Sequence, residues 1–198
     1  MKEIAERHSI RKYKADAVNK DDIKKIIEAG ILAPSAKNRQ PWKFFVVEGE
    51  AKEEALDVME KGLTRSREEL KGVPGIEALI SDAFNTLRIM REAPVIIFVE
   101  NTNGGAPFMD INVNERITEI CDSLSIGAAI QNMLLAATEL GYGTLWIANT
   151  FYAYQELAKF LGINGQLISA VALGVPDETP APRPRKKFEE VVEFRSIH

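Results

Sequence analysis

The apolar residues of this chain follow two rhythms, and their alternation predicts a mixed α and β protein. After Asn19, a helix N-cap with Asp21 and Asp22 in the following turn, Ile23, Ile26, Ile27, Gly30 and Ile31 recur at helical spacing and predict one buried face. Pro34 ends that helix, and 33–40 reads as a loop. Lys43-Phe44-Phe45-Val46-Val47 is a short β-prone run expected in the core. Two charged segments, 50–62 and 64–72, are cut off by Val73-Pro74-Gly75, and a helix is expected from about Ile76 to Arg91. The apolar run within 94–100 suits a strand covered on both faces. The 103–119 stretch gives no firm signal. Asp122 or Ser123 is expected to cap a helix that runs to Leu140 and closes at Gly141; it is apolar on most sides and so expected to be central. A strand over 143–148, a short helix over 154–161 and a strand over 167–175 follow.

From Pro176 the rhythm is lost. Pro176, Pro180, Pro182 and Pro184 keep the chain extended, and 188–194 turns apolar again. Such an arm is too hydrophobic to hang in water and is expected to dock on its own domain or on a neighbour. No linker divides the chain, so 1–198 reads as one domain with 176–198 as its arm.

Composition narrows the class. A single cysteine, Cys121, leaves no internal disulfide framework and fits a reducing cytoplasm. With two histidines, His8 and His198, no Cys/His metal site is expected. The first ten residues lack the apolar core of a signal peptide, and the most apolar stretch, 126–137, is too short for a membrane span. The net charge of −4 (25 Lys and Arg against 29 Asp and Glu) gives no general reason to expect nucleic acid.

Against that acidic background, two stretches carry local arginine: Arg7-His8-Ser9-Ile10-Arg11 and Arg183-Pro184-Arg185-Lys186-Lys187. Either one alone reads as solvated surface. Brought together they would make a phosphate pocket, since the planar guanidinium gives paired charge-assisted hydrogen bonds to such an anion. The block Ala33-Pro34-Ser35-Ala36-Lys37-Asn38-Arg39-Gln40-Pro41-Trp42 is a polar loop suited to a ligand approaching the backbone, or an ordinary connection with an aromatic anchor. Asn85 and Arg88 lie one helical turn apart in an otherwise apolar helix and, taken alone, read as a surface pair. There is no phosphate loop of the G-x-x-x-x-G-K-[ST] type and no G-x-S-x-G; Gly141-Tyr142-Gly143 follows a helix and reads as its cap rather than a dinucleotide fingerprint.

These blocks, together with Gly141-Tyr142-Gly143-Thr144-Leu145-Trp146-Ile147 and the passage from Leu173-Gly174-Val175-Pro176 to Pro182-Arg183-Pro184-Arg185, occur in an order that resembles the nitroreductase family of FMN-dependent oxidoreductases. The resemblance runs from residue 4 to about 192. It implies an α+β, three-layer α-β-α sandwich with a mostly antiparallel central sheet, in an intertwined homodimer with FMN at the subunit interface. It would carry phosphate binding to Arg7, Ser9, Arg183 and Arg185, with His8 contributing through its backbone or ring, and would place Arg11 near the pyrimidine edge of the flavin. Pro34, Ser35, Ala36 and Asn38 match a loop that reaches across from the partner, and Gln40 belongs to the same block. Asn85 and Arg88 match a pair contacting the ring and ribityl groups, while Trp146, Ile147 and Ala148 match the strand end that approaches the ring.

No catalytic side chain is required by that resemblance, because hydride moves to and from flavin N5. The implied reaction is ping-pong, with NADH or NADPH delivering hydride and a nitroaromatic, quinone or related small acceptor taking it. The family's usual glycine and glutamate after the third strand are replaced here by Ala148-Asn149. A specialised flavin enzyme such as a reductive dehalogenase, with a lid in 61–77 over an aromatic acid, and a non-catalytic FMN-binding protein are the alternatives.

Overall fold

The apolar runs do pair into a sheet. In the computed structural model, which describes residues 2–195, the chain runs α1 (Lys2–Glu6), α2 (Lys20–Ile31), β1 (Trp42–Glu48), α3 (Gly49–Glu69), α4 (Ile76–Glu92), β2 (Val95–Asn101), α5 (Val113–Glu139), β3 (Gly143–Ile147), α6 (Tyr154–Leu161), β4 (Gln166–Gly174) and α7 (Phe188–Val191). Short 3-10 turns lie at Ala36–Asn38 and Asn149–Ala153. The strand order is β1-β2-β4-β3, and each neighbouring pair is antiparallel.

The period-2 pleat of the central strands explains the three layers. Ile96 and Phe98 of β2, with Ala170 and Ala172 of β4, face a core shared with α3, α4 and α6. Val95, Ile97 and Val99, with Val171 and Leu173, face α2 and α5. Two-sided burial is why β2 carries an unbroken apolar run and has every residue buried. The fold is α+β, a four-stranded antiparallel sheet between two helical layers.

Several elements differ from the sequence reading. Asn19 caps α2 as expected, its side chain accepting from the Asp21 N–H. On the helix itself only Ile23, Ile26 and Gly30 are buried, while Ile27 is half-buried and Ile31 exposed. The two charged segments are one helix, α3, which passes through Gly62. A Cβ there would sit 2.6 Å from the Ala153 side chain, so glycine marks close packing against the Asn149–Ala153 turn rather than a break. Helix α5 begins nine residues before Asp122. Asn112 caps it, accepting from Asn114 N–H and Glu115 N–H while Glu115 reaches back to the Asn112 N–H, a reciprocal capping box.

By length and composition α5 could cross a membrane. The residues that make it apolar, among them Ile126, Ile130, Met133 and Leu134, are buried against the sheet and α2.

Candidate functional site

The two arginine stretches meet because the chain on either side of the sheet is stitched together. Residues 7–14 run along the free edge of β3: Ser9 pairs with Thr144, and the Ile10 N–H donates to the Thr144 carbonyl at 2.9 Å. Farther along, Tyr13 pairs with Pro176, Lys14 N–H donates to Val175 O and Asp177 N–H to Lys12 O, both at 2.9 Å. Arg11 N–H donates to a Glu178 carboxylate oxygen at 2.5 Å. Tyr13 stands inside this seam, its hydroxyl donating to Ile10 O at 2.9 Å, and burial pushes the phenol far above its ordinary range. The start of the C-terminal arm is thereby fixed beside residues 11–14, and the arginines beyond it are brought to the first cluster.

What forms is a cavity of about 320 Å³ lined by Arg7, His8, Ser9, Arg11, Arg183 and Arg185, with Pro180 and Ala181 at its edge. Arg11 donates to Ser9 O at 3.2 Å, and Arg185 to the carbonyls of Arg183 and Pro184 at 3.1 and 3.2 Å. None of the ion pairs among the described residues involves Arg11, Arg183 or Arg185. Guanidinium groups gathered in a concavity without carboxylates are a receptor for an external anion.

Arg11 also lines a second cavity, of about 290 Å³, with Asn85 and Thr86 of α4 and with Trp146, Ile147 and Ala148 at the end of β3. Asn149 and Asp82 line it as well, the Asn149 amide donating to Thr86 Oγ1 at 2.9 Å and to Asp82 Oδ2 at 3.3 Å. The Trp146 indole N–H donates to Ser169 Oγ at 2.7 Å, which in turn donates to Ile147 O at 2.8 Å, fixing the ring at the end of the strand. Arg88 lines neither cavity; it is exposed, donates to Asn85 Oδ1 at 3.2 Å and pairs with Glu92.

Ala148 and Asn149 also line a third and larger cavity, about 660 Å³, walled by Phe108, Phe151, Tyr152 and Tyr154. Arg65, Ser66, Glu69 and Leu70 come to it from the end of α3, and Pro107 from the loop before α5. The 61–77 stretch, read from the sequence only as a candidate lid, and the 103–119 stretch, which gave no firm signal, therefore both supply its walls. The three cavities are neighbours: Arg11 lines the first and second, and Ala148 and Asn149 line the second and third.

The 33–42 block lines none of the three. It is held instead against α5: Ala36 N–H donates to Ser125 Oγ at 3.2 Å, and Arg39 donates twice to Asp122 Oδ1, at 2.8 and 2.6 Å. Lys37, Asn38 and Gln40 all have positive φ, at 54°, 54° and 48°, a conformation that costs roughly 1 kcal/mol or more per non-glycine residue. Pro34, Asn38 and Gln40 are exposed, and Ser35 and Ala36 half-buried. Asp122 is fully buried, and its second oxygen accepts from Asn103 at 3.2 Å. Its hydrogen bonds raise the Arg39 guanidinium further above its ordinary value. Neither Arg39 nor Asp122 was identifiable as a site residue from sequence. An aspartate before an apolar run reads as a cap, and its partner lies 83 residues away.

Comparison with known proteins agrees with this fold. The Nitroreductase family model matches residues 4–175. A protein of Archaeoglobus fulgidus, provisionally named an NADH dehydrogenase/NAD(P)H nitroreductase, is 32% identical over 184 residues, covering 90% of this chain and 86% of its own. Among solved structures, a BluB-like flavoprotein from Clostridium difficile 630 superposes with a TM-score of 0.80 at 29% identity, over 98% of each chain. A nitroreductase with bound FMN from Desulfitobacterium hafniense DCB-2 gives 0.75 at 25% identity, over 98% of this chain and 97% of its own. The chain belongs to the nitroreductase family.

Proposed function

We propose that the protein is an FMN-dependent oxidoreductase that takes electrons from NADH or NADPH and passes them to a nitroaromatic, a quinone or a related small acceptor. The observation that carries this reading is the convergence of Arg7, Ser9, Arg11, Arg183 and Arg185 on one cavity that continues, through Arg11, to the end of β3. The residues fit the cofactor. A phosphate near −2 charge needs several cationic or N–H donors, and the arginines that lack carboxylate partners supply them. Arg11, at the junction of the two cavities, would set a cation against the pyrimidine edge of the ring. Asn85, Trp146, Ile147 and Ala148 would bound the ring, with Arg88 reaching it over Asn85.

When bound, FMN supplies a ring nitrogen, N5, that accepts hydride and gives it up again. The chain's own residues would bind and orient the cofactor, and Arg11 would offer a cation to offset negative charge on the reduced ring. Donor and acceptor would use the same open face in turn, which fits a chain with no separate dinucleotide fingerprint. Pro34, Ser35, Ala36, Asn38 and Gln40, set apart from the arginine cavity, would serve the flavin of a partner subunit. The exposed apolar residues of the arm, Phe188, Val191 and Phe194, would be covered by that partner in a homodimer. The arm's last residues, 196–198, lie outside the described residues, as does His198. The test is anaerobic reduction: the purified protein, reconstituted with FMN, should lose flavin absorbance on addition of NADH or NADPH. Persistent absorbance with both nucleotides and tight FMN would instead favour a binding protein without turnover.

A further inference from the structure

The aromatic cavity has a feature that its place beside the β3 end does not require: the one cation lining it among the described residues, Arg65, is already neutralised. Arg65 donates from Nε and Nη2 to the two oxygens of Glu156, at 2.6 and 3.2 Å, and from Nη1 to Glu69 at 2.5 Å. Its fork is fully used. One guanidinium against two carboxylates gives the cluster, of which Arg65 and Glu69 line the cavity, a net charge of −1. The other polar groups are committed as well: the Ser66 hydroxyl to Tyr152 O, the Tyr154 hydroxyl to Gly165 O, and the Asn149 amide to Thr86 and Asp82. The Gln155 amide and the Tyr152 hydroxyl remain as neutral groups, and Asn149 Oδ1 is buried without a partner among the described residues. An anion entering here would lose its hydration and meet a repulsive wall, with only neutral donors and no free cation to compensate. A neutral aromatic ring loses little water and gains stacking area on Phe108, Phe151 and Tyr152.

We propose that this cavity is the electron-acceptor site and that the Arg65–Glu156–Glu69 cluster restricts it to uncharged aromatic acceptors, excluding aromatic carboxylates. The inference rests on the FMN oxidoreductase reading for its chemistry, but the binding preference stands apart from turnover. It also weighs against a dehalogenase of aromatic acids, whose substrate would need a free cation in the wall formed by α3.

The probes are 4-nitrobenzamide and 4-nitrobenzoate, which match in shape and differ in charge. Their affinities are measured by calorimetry on the FMN-loaded oxidised protein without nucleotide, and their kcat/KM values with NAD(P)H. The amide should be preferred by about tenfold or more in both measurements, and removing wall charge should shift the preference toward the benzoate by about tenfold. Glu156→Gln frees most of the Arg65 fork; should that variant fold poorly, Glu69→Gln changes only an exposed carboxylate and should give a smaller shift in the same direction. Equal affinities in the wild type, an unchanged ratio in the variants, or binding of neither probe overturns the proposal. Selective binding with no loss of flavin absorbance on addition of NADH or NADPH would leave the charge selection standing and overturn the oxidoreductase reading.

Discussion

Two groups of arginines in this molecule do opposite work. Arg39 and Arg65 are bound to carboxylates inside the protein, Arg39 to the buried Asp122 and Arg65 to Glu156 and Glu69. Arg11, Arg183 and Arg185 face a cavity with no carboxylate in ion-pair reach among the described residues. The first group holds segments distant in sequence in one geometry. The second is left with charge to offer, and its cost in self-repulsion is recovered only when an anion arrives. The same side chain thus marks a structural brace where it is paired and a ligand site where it is not.

The sharpest way to break that contrast is at Asp122. Asp122→Ala leaves Arg39 without its partner and releases a loop with three left-handed residues. Removing one member of a buried pair is among the most costly single changes, and thermal unfolding should fall by roughly 5–10 °C. A loss within about 2 °C would mean that the loop needs no brace. Arg183→Ala should do the reverse: unchanged unfolding of the FMN-free protein, since no internal partner is lost, but FMN affinity weakened by about 10- to 100-fold. Arg7→Ala should weaken FMN similarly. Fluorescence titration of FMN reads both, and raising the salt concentration should weaken the wild type more than either variant. Unchanged affinity in both would remove the phosphate from this cavity.

Arg88 falls between the two groups. It borders Asn85 yet is paired to Glu92 within its own helix. Part of its charge is already used, so Arg88→Ala should weaken FMN by only about threefold, less than the loss at Arg183. A loss as large as that at Arg183 would show that the Glu92 pair opens when the cofactor binds.

How much of this could be read from the chain depends on how local the cause is. β2 and β4 were legible because two-sided burial writes itself as an apolar run, and α4 and α6 because their periodicity is intact; β1, expected in the core, is an edge strand that buries only Val47. The arginine cavity was legible as two clusters, although only the pairing of residues 9–14 with Thr144 and 175–177 brings them together. Helix α3 was misread because Gly62 answers to Ala153, a neighbour in space. The start of α5 was missed although Asn112 and Glu115 carry a capping-box spacing, because its first turns expose Val113, Ile117, Ile120 and Leu124 and show no inward face within one chain. The aromatic cavity could not be read at all. Its walls come from α3, the loop before α5 and the start of α6, and no single segment carries its signature.

The smallest effect concerns acidity. Hydrogen bonding from Arg65 holds the Glu156 carboxyl below its ordinary value of 4.5. A carboxyl depressed in the folded state contributes stability that is complete above its unfolded value and is lost as the pH falls through the folded one. Water still reaches the pair, so the contribution is under about 1 kcal/mol. The melting temperature of the wild type should therefore drop below about pH 4.5 more steeply than that of Glu156→Gln, which has no proton to take up at this site. Parallel slopes in thermal melts from pH 6 to pH 3 would show that Arg65 gives Glu156 no more in the folded chain than water gives it in the unfolded one. The brace at the aromatic cavity would then rest on Glu69 alone.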